Sequence, residues 1–274
     1  MNKGMSHPVI SVITTTLNAG DKLLATRESV AKQKGNSWEH IVKDGGSTDN
    51  SIDKINHLIP GAHIINSQDS GIYDGMNQGA LAATGKYLHF LNSGDIYTCD
   101  DALQKVSEIA ESNDWPDLVV IWYHNSADGI INSYPKKLGA WYLYRHSLCH
   151  QAVFISRKLF LERGGHDTGF QLLADHDLLF DLILNKHCRY VVTYDVLVNY
   201  DGEGVTSETS RLKQKDREAR LVRKRNFGAI ERNVFRIIHE MTLWRLRRFL
   251  LRQRSLQSLT RLYYRLFARI NRSQ

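Results

Sequence analysis

The chain has 274 residues, of which 42% are hydrophobic and 24% charged, and its formal net charge is +7. This composition is typical of a globular protein with a sizeable core and excludes a disordered or fibrous chain. The three cysteines are widely spaced and form no CxxC pair, which argues against a disulfide framework or cysteine zinc site and favours a reducing compartment.

The charge is unevenly distributed along the chain. Residues 211–274 hold 19 Lys and Arg against 4 Asp and Glu, a net charge of +15, whereas the first 210 residues have a net charge of −8. A basic tail of this kind predicts a polyanionic partner, which could be anionic lipid, nucleic acid or an acidic protein. No uncharged apolar run reaches the roughly 18 residues of a membrane span, and we expect the apolar N-terminal segment to be a strand, not a signal peptide.

The first 122 residues alternate between short apolar runs and segments with helical periodicity. The apolar runs predict five strands, over residues 9–14, 38–43, 62–65, 86–91 and 118–122. The intervening segments predict helices over residues 21–34, after Asp49, over residues 75–83, and from Asp100 or Asp101 to Ser112. This alternation predicts an α/β protein with a mainly parallel, Rossmann-like sheet flanked by helices.

Beyond residue 123 the pattern is less regular. Asp128-Gly129 is typical of a hairpin, residues 138–150 are rich in aromatic side chains, and two strands are expected at residues 153–155 and 189–196. A helix is expected over residues 175–185.

From about residue 208 the chain reads as almost entirely helical, and residues 256–270 form a basic amphipathic pattern. We therefore expect one domain over residues 1–207, with halves of about 1–122 and 123–207, followed by a basic helical extension over residues 208–274.

Two apolar runs end in turns that carry a carboxylate, at residues 41–49 and 88–95. Ligands of open α/β sheets bind just beyond the carboxyl ends of the strands. Asp44 could cap its own turn or accept a hydrogen bond from the imide of a uracil or thymine ring. Asp95 could be a turn residue or could bind Mg²⁺ or Mn²⁺ together with diphosphate oxygens. Together the two turns predict a site for a nucleotide and a divalent metal.

A polar, glycine-rich segment over residues 69–79 precedes a predicted helix. It could be a loop with a helix cap, or a wall of a ligand site that presents Asp69, Asp74 and Asn77. No GxGxxG motif occurs here or after the first strand, which weakens the case for a dinucleotide-dependent dehydrogenase.

The second half of the chain offers its own candidates. Asp175 opens a predicted helix, where a carboxylate could simply favour the helix dipole or could act as a general base. His150 and Gln151 precede a strand in the aromatic-rich stretch that also contains Trp141. These side chains could belong to the core, or the aromatic faces could stack on sugar rings.

Taken together, these motifs resemble the family 2 glycosyltransferases, which have the GT-A fold. The resemblance covers about residues 8–205 and is closest to bacterial members that build O-antigen and exopolysaccharide units. It rests on five segments that occur in the family's order, at residues 12–18, 44–51, 69–79, 85–95 and 174–178.

The resemblance implies a role for each candidate residue. Asp175 would be the catalytic base and Asp95 the metal ligand. The donor sugar nucleotide would be bound by Thr15, Asp44, Asp69, Asp74, Asn77 and Asn92. The acceptor would be bound by His150, Gln151 and Trp141.

The chain departs from the family pattern in two places. The acidic metal-binding motif reads Asn92-Ser93-Gly94-Asp95, so that a single carboxylate remains, and the family's Glu-Asp pair reads Ala174-Asp175. The first change makes dependence on a metal less certain, whereas the second leaves the base intact.

The resemblance implies that a sugar is transferred with inversion from a nucleoside-diphosphate sugar, expected to be UDP-linked, with Mn²⁺ or Mg²⁺ as cofactor. The expected acceptor is a saccharide linked to polyprenyl diphosphate in bacterial surface polysaccharide synthesis. The basic segment 240–272 would bind the anionic membrane, which implies a cytoplasmic protein, peripheral on the inner face of the cell membrane. The alternative is that the tail helices pack on the catalytic domain with their arginines in water.

Two other classes remain open. A metal-dependent nucleotidyltransferase would usually have a glycine-rich, basic phosphate loop after the first strand, and residues 14–20 lack one. A non-enzymatic protein could bind a polyanion through the tail, but no base-stacking platform is evident, and we expect no nucleic-acid partner.

Overall fold

The structure is a computed structural model that describes residues 8–35, 37–202 and 209–241, without the side chains of residues 209 and 239–241. It contains two compact units, one ending at Val222 and the other beginning at Arg223. The predicted basic helix over residues 256–270 lies outside the described residues, as does nearly all of the predicted membrane-binding segment. Within the described ranges, no helix is both long and apolar enough to cross a membrane.

The structure is of mixed α/β class, as predicted. The strands are β1 (Ile10–Thr16), β2 (Trp38–Asp44), β3 (His63–Asn66), β4 (Tyr87–Phe90), β5 (Ile96–Tyr97), β6 (Leu118–Asn125), β7 (Ile130–Asn132), β8 (Val153–Ser156) and β9 (Tyr190–Tyr200). The α-helices are α1 (Asp21–Ala31), α2 (Ser51–Leu58), α3 (Ile72–Ala82), α4 (Ala102–Ser112), α5 (Ala140–Arg145), α6 (Arg157–Arg163), α7 (Ala174–Phe180), α8 (Leu212–Asn226) and α9 (Ala229–Met241).

The strands form one sheet in the order β3-β2-β1-β4-β8-β6-β9-β5, with β7 paired to β6. Its first four strands are parallel, with β1 between β2 and β4. Ile10, Val12 and Ile13 of β1 are buried, as expected of a strand covered by helices on both faces. Helix α3 packs on β1 and β2.

The second half of the sheet contains antiparallel pairs. Strand β8 is antiparallel to both β4 and β6, and β6 is parallel to β9. Consequently β8 begins at the edge where β4 ends, and β6 and β9 end at that same edge. This edge, which we call the carboxyl edge, therefore receives chain segments from both halves of the sheet.

Most predicted elements are confirmed within two or three residues, including the hairpin at Asp128-Gly129, which joins β6 to β7. The predicted helix over residues 175–185 is α7 followed by a π-helical turn over Asp181–Asn185. The last predicted strand extends four residues further, to Tyr200. The short strand β5 and the helices α5 and α6 were not predicted.

Helix α8 is joined to the segment that leads into α7. Glu218 on α8 accepts hydrogen bonds from the backbone N–H groups of Gln171, Leu172 and Leu173. The Glu218 side chain is buried, so these bonds are protected from water. They fix the start of α7, which carries Asp175.

Gly85 precedes β4 at a point where the backbone of β1 comes very close. A Cβ atom at this position would lie 2.6 Å from Ser11 Oγ and 2.7 Å from the Ser11 backbone nitrogen. Ser11 Oγ also accepts a hydrogen bond from the Gly85 N–H and donates one to Glu39. A side chain at residue 85 would therefore separate β1 from β4.

Replacing Gly85 by Ala should lower the free energy of unfolding by about 2–4 kcal/mol, because the contact is with backbone atoms that cannot rotate away. The matched control is Gly139→Ala, since a Cβ atom there meets nothing within 4 Å. Urea denaturation followed by circular dichroism measures both. Equal stability of the two variants would contradict the close approach.

Candidate active site

Four segments from different parts of the chain meet at the carboxyl edge. Thr15 lies near the end of β1, residues 92–95 follow β4, and His150 lies in a 3₁₀ turn just before β8. Asp175 is in the first turn of α7. The antiparallel direction of β8 is what brings His150 to the end of β4.

A continuous series of hydrogen bonds connects these segments. The Thr15 hydroxyl donates to Asn92 Oδ1 at 2.8 Å, and Asn92 Nδ2 lies 3.0 Å from His150 Nε2. The other imidazole nitrogen, Nδ1, lies 2.8 Å from Asp175 Oδ2. The Tyr73 hydroxyl donates to Asp175 Oδ1 at 3.0 Å. The predicted base is thus linked by side chains to the predicted donor side.

The Asp175 carboxylate is buried and well supplied with donors. Besides Tyr73 and His150, the backbone N–H of His176 donates to Oδ1. Burial by itself would raise the pKa of the Asp175 carboxyl, but the charge of His176 and the hydrogen bond from His150 outweigh burial and hold the pKa well below its usual range. Asp175 is therefore ionised at neutral pH and acts as a hydrogen-bond acceptor.

Tyr73 complements this carboxylate. Burial, followed by the nearby charge of Asp175, raises the pKa of the Tyr73 hydroxyl well above its ordinary value. The hydroxyl keeps its proton at all physiological pH values, so it remains a donor to Asp175.

Asp95 is also buried, but its electrostatic environment differs. Its two oxygens accept hydrogen bonds from Gln151 Nε2 and from the Asp201 backbone N–H. No lysine or arginine in the described part of the chain pairs with it. Burial therefore raises the pKa of the Asp95 carboxyl to about 6. Burial thus destabilises the charged form of Asp95 relative to an exposed aspartate, and a nearby cation would offset that cost.

This environment suits a single ligand of a divalent metal. The described residues contain no group of three His, Cys, Asp or Glu side chains that could hold a metal on their own. Asp201, the nearby carboxylate, is paired with Lys22 Nζ at 2.6 Å. Asp95 could thus supply one oxygen, and the remaining ligands would have to come from substrate phosphate and water.

Asp44 lies at the end of β2 and is fully buried. Its carboxylate accepts hydrogen bonds from the backbone N–H and the hydroxyl of Ser47. The turn-capping alternative is therefore realised, and contact with a nucleotide base stays a prediction. The turn is also tied to the loop after β1, because Asn18 Oδ1 accepts from the backbone N–H groups of Thr48 and Asp49.

Asp69 forms an ion pair with Lys43, which was not among the predicted site residues. Lys43 on β2 is completely buried, and its Nζ donates to Asp69 Oδ2 at 2.8 Å and to the carbonyls of Asp44 and Ser67. All three ammonium donors are satisfied, which is how a buried lysine is tolerated. Lys43 fixes Asp69 beside the turn after β2.

Asp74 and Asn77 on α3 contact different parts of the chain. Asp74 accepts hydrogen bonds from the backbone N–H and the hydroxyl of Ser70, so it holds the turn that precedes its own helix. Asn77 accepts from the His166 backbone N–H and donates to the His166 carbonyl, both at 2.8 Å. Asn77 therefore uses both ends of its amide to hold a loop. The donor-binding role of Asp74 and Asn77 stays a prediction.

The three predicted acceptor residues have different surroundings. Gln151 is buried and donates to Asp95, whereas His150 is only partly buried and bonds to Asp175. Trp141 is half-buried on α5 and stacks on Tyr144. Of the three, His150 and Trp141 are accessible, and Gln151 serves to orient Asp95.

Several residues of the site were not predicted from the sequence, among them Tyr73, Lys43 and His166. His166 is buried between the rings of Tyr73, Phe90 and Phe160. Burial lowers the pKa of His166 to about 3, so this histidine is neutral. None of these residues lies in a sequence pattern typical of a site, since their roles depend on contacts between distant segments.

Comparison with known proteins identifies the family of this chain. Residues 11–168, more than half of the chain, match the family described as glycosyl transferase family 2. A "PGL/p-HBAD biosynthesis glycosyltransferase" of Mycobacterium bovis (strain BCG / Pasteur 1173P2) is 32% identical over 214 residues, 75% of this chain and 81% of the relative. The protein therefore belongs to glycosyltransferase family 2, and the nucleotidyltransferase alternative is not supported.

Solved structures show the same fold. The S. aureus TarS 1–349 in complex with UDP-GlcNAc superposes with a TM-score of 0.65 at 19% identity, covering 78% of this chain and 65% of that one. A mannosyltransferase from Pyrobaculum calidifontis in complex with GDP-Man and Mn²⁺ gives 0.57 at 16% identity, covering 77% and 61%. The chain thus spans less than two thirds of these solved chains, and it has a fold of the GT-A type, as predicted.

The raised pKa of Asp95 makes stability depend on pH. Because the folded pKa of about 6 exceeds the unfolded value of about 3.9, the unfolded state ionises first, and stability falls as pH rises from about 4 to about 6. Replacing Asp95 by Asn removes this loss. From pH 4 to pH 7, the free energy of unfolding of Asp95→Asn should therefore rise by about 3 kcal/mol relative to that of the wild type.

Urea denaturation in buffer with EDTA, repeated across this pH range, measures the shift. The control is Asp53→Asn, the same change of residue on the exposed face of α2 and outside the site. A constant difference between Asp95→Asn and the wild type would mean that burial does not perturb Asp95.

Proposed function

We propose that this glycosyltransferase transfers a sugar, with inversion, from a nucleoside-diphosphate sugar to a lipid-linked saccharide acceptor, with Asp175 as the base. The observation that carries the proposal is the hydrogen-bonded series from Thr15 through Asn92 and His150 to Asp175. It joins the end of the first strand, where the family binds its nucleotide, to the carboxylate in the family's base position. A UDP-linked hexose or N-acetylhexosamine is the proposed donor.

The nucleotide would lie along the carboxyl edge beside Thr15 and the turn of Asp44. The TarS neighbour was solved with UDP-GlcNAc and the Pyrobaculum neighbour with GDP-Man, which supports a nucleotide sugar as the class of donor. The acceptor would approach from the side of His150 and Trp141. Its attacking hydroxyl would then lie between Asp175 and the anomeric carbon.

The reaction needs one proton to be moved and one leaving group to be stabilised. Asp175 would accept the proton of the acceptor hydroxyl while the oxygen bonds to the anomeric carbon on the face opposite the diphosphate. The departing diphosphate would take the electron pair of the broken bond. Tyr73 and His150 would hold the carboxylate in place during this step.

Asp95 is the proposed ligand of a divalent metal, Mn²⁺ or Mg²⁺. Its buried charge without a basic partner supports this role, and the Mn²⁺ of the Pyrobaculum neighbour agrees with it. A bound divalent ion supplies positive charge that stabilises a diphosphate leaving group. Gln151 would hold the Asp95 oxygens in a fixed orientation.

Replacing Asp175 by Asn should lower kcat for sugar transfer by 10²–10⁴-fold, which is the usual contribution of a general base. Binding of UDP should change less than threefold, because Asp175 would touch only the acceptor hydroxyl. Transfer can be measured with a panel of nucleotide sugars, Mn²⁺ and a lipid-diphosphate saccharide, and UDP binding by calorimetry.

The matched control is Asp181→Asn, at the carboxylate that directly follows α7 and contacts Arg163. It should retain transfer within threefold. Unchanged turnover of Asp175→Asn would remove this residue as the base.

We also propose that the basic C-terminal region attaches the protein to an anionic membrane at the cytoplasmic face. Helix α9 supports this with a stripe of exposed apolar side chains at helical spacing, formed by Ile230, Val234, Ile237 and Ile238. Each Lys or Arg near an anionic surface contributes about 1 kcal/mol of attraction. An apolar stripe within a basic region is the pattern of a helix that lies in the membrane surface.

Replacing Ile230 and Ile237 together by Ser should weaken binding to vesicles of phosphatidylglycerol by at least about tenfold, because apolar insertion is lost. Cosedimentation measures the bound fraction, with phosphatidylcholine vesicles expected to bind little. The control is Leu81→Ser on α3, which removes an apolar side chain that is 68% exposed, compared with 82% for Ile230. An equal effect of both changes, or none, would contradict membrane insertion by α9.

A further inference from the structure

Asn92 occupies a position where the family motif usually has a carboxylate. Its amide accepts a hydrogen bond from the Thr15 hydroxyl through Oδ1 and contacts His150 Nε2 through Nδ2. An amide can accept at one end and donate at the other, whereas a carboxylate can only accept. An asparagine at residue 92 can therefore donate a hydrogen bond to His150 Nε2, which an aspartate cannot do.

The partners of His150 define its protonation. Asp175 is ionised and can only accept, so His150 Nδ1 must carry a proton to bond with Oδ2. The amide Nδ2 of Asn92 donates to Nε2, which must then be unprotonated. These two bonds hold the imidazole as the neutral tautomer with its proton on Nδ1.

The Asp175 carboxylate has one position left for a substrate. A carboxylate has about four acceptor positions. Tyr73 and the His176 backbone occupy those of Oδ1, and His150 occupies one of Oδ2. The open position is on Oδ2, the oxygen that His150 orients. A positive charge on His150 would therefore act on the oxygen that would receive the proton.

We propose that Asn92 is a positioning residue of the transfer reaction, which acts through His150 to orient Asp175 and to keep its nearest hydrogen-bond donor uncharged. The inference rests on the proposed function, because it takes Asp175 as the base. The acceptor proton passes to Asp175 Oδ2, the acceptor oxygen bonds to the anomeric carbon, and the diphosphate leaves with the electron pair. A cationic His150 would stabilise the carboxylate and so make it a weaker base.

The other titratable groups that act on His150 are Asp95, His89 and His166. His89 and His166 are buried, and burial lowers the pKa of each to about 3, so both are neutral at pH 7. Asp95 and Asp175 are the negative groups in this set. Introducing a third carboxylate at residue 92, in direct contact with Nε2, would bring a second proton onto the imidazole.

The substitution Asn92→Asp separates this proposal from the alternative that residue 92 belongs only to the metal motif. If Asn92 positions the base, an aspartate should protonate His150 and slow transfer. If residue 92 serves only the metal, an aspartate restores the family's second carboxylate. Transfer should then be maintained or increased, at lower Mn²⁺ concentration. The two expectations have opposite signs.

The protonation of His150 can be read directly from ¹⁵N NMR of histidine-labelled protein at pH 7.5, with His150→Asn used for assignment. The wild type should show a protonated Nδ1 and an unprotonated Nε2, and Asn92→Asp should show both nitrogens protonated. This measurement needs neither donor nor acceptor, so it tests the inference separately from the proposed function. A neutral ring in Asn92→Asp would overturn the inference.

The kinetic test uses the same variant. Asn92→Asp should lower kcat for transfer by at least tenfold at saturating Mn²⁺ and saturating donor. A kcat equal to or above that of the wild type would overturn the inference. Absence of transfer by the wild-type protein with every donor would instead contradict the proposed function.

A second background excludes a general effect on folding. In His150→Asn the new amide can still donate to Asp175, but it has no counterpart of Nε2 to be protonated. Adding Asn92→Asp to this background should change kcat less than threefold, since the two positions act through one contact. The same loss in both backgrounds would show that residue 92 does not act through His150.

Discussion

The carboxylates of Asp95 and Asp175 are both buried, and in the described part of the chain neither is paired with a lysine or arginine. Burying such a charge is costly unless its oxygens accept hydrogen bonds. The structure meets this requirement with donors from distant segments, and these donors fix the geometry of the site. Asp175 accepts hydrogen bonds from Tyr73, His150 and a backbone N–H. Asp95 accepts them from Gln151 and a backbone N–H.

The two carboxylates differ because their donors differ. The hydrogen bond from His150 and the charge of His176 keep Asp175 ionised, so the carboxylate can act on a hydroxyl proton. Asp95 lacks comparable stabilisation, and burial raises its pKa to about 6. Buried carboxyl groups whose pKa values are shifted in opposite directions are typical of functional sites.

The adjacent residues His150 and Gln151 connect these two environments. His150 contacts Asp175, and Gln151 contacts Asp95, because the 3₁₀ turn before β8 directs them to different sides. Their position depends on β8 running antiparallel to β4. The antiparallel strand β8 thus brings residues 150 and 151 against the segment that follows β4.

The sequence by itself determined the α/β class, nearly all strands of the first half, the family and the acidic turns, because these depend on local periodicity and on residues adjacent in the chain. It could not predict that Asn77 holds the His166 loop, that Lys43 satisfies Asp69, or that Tyr73 and His150 share Asp175. Those contacts join residues as far apart as 102 positions, as for Tyr73 and Asp175. Only the tertiary structure decided them, since the strand order and the burial of each charge select which distant donor becomes its partner.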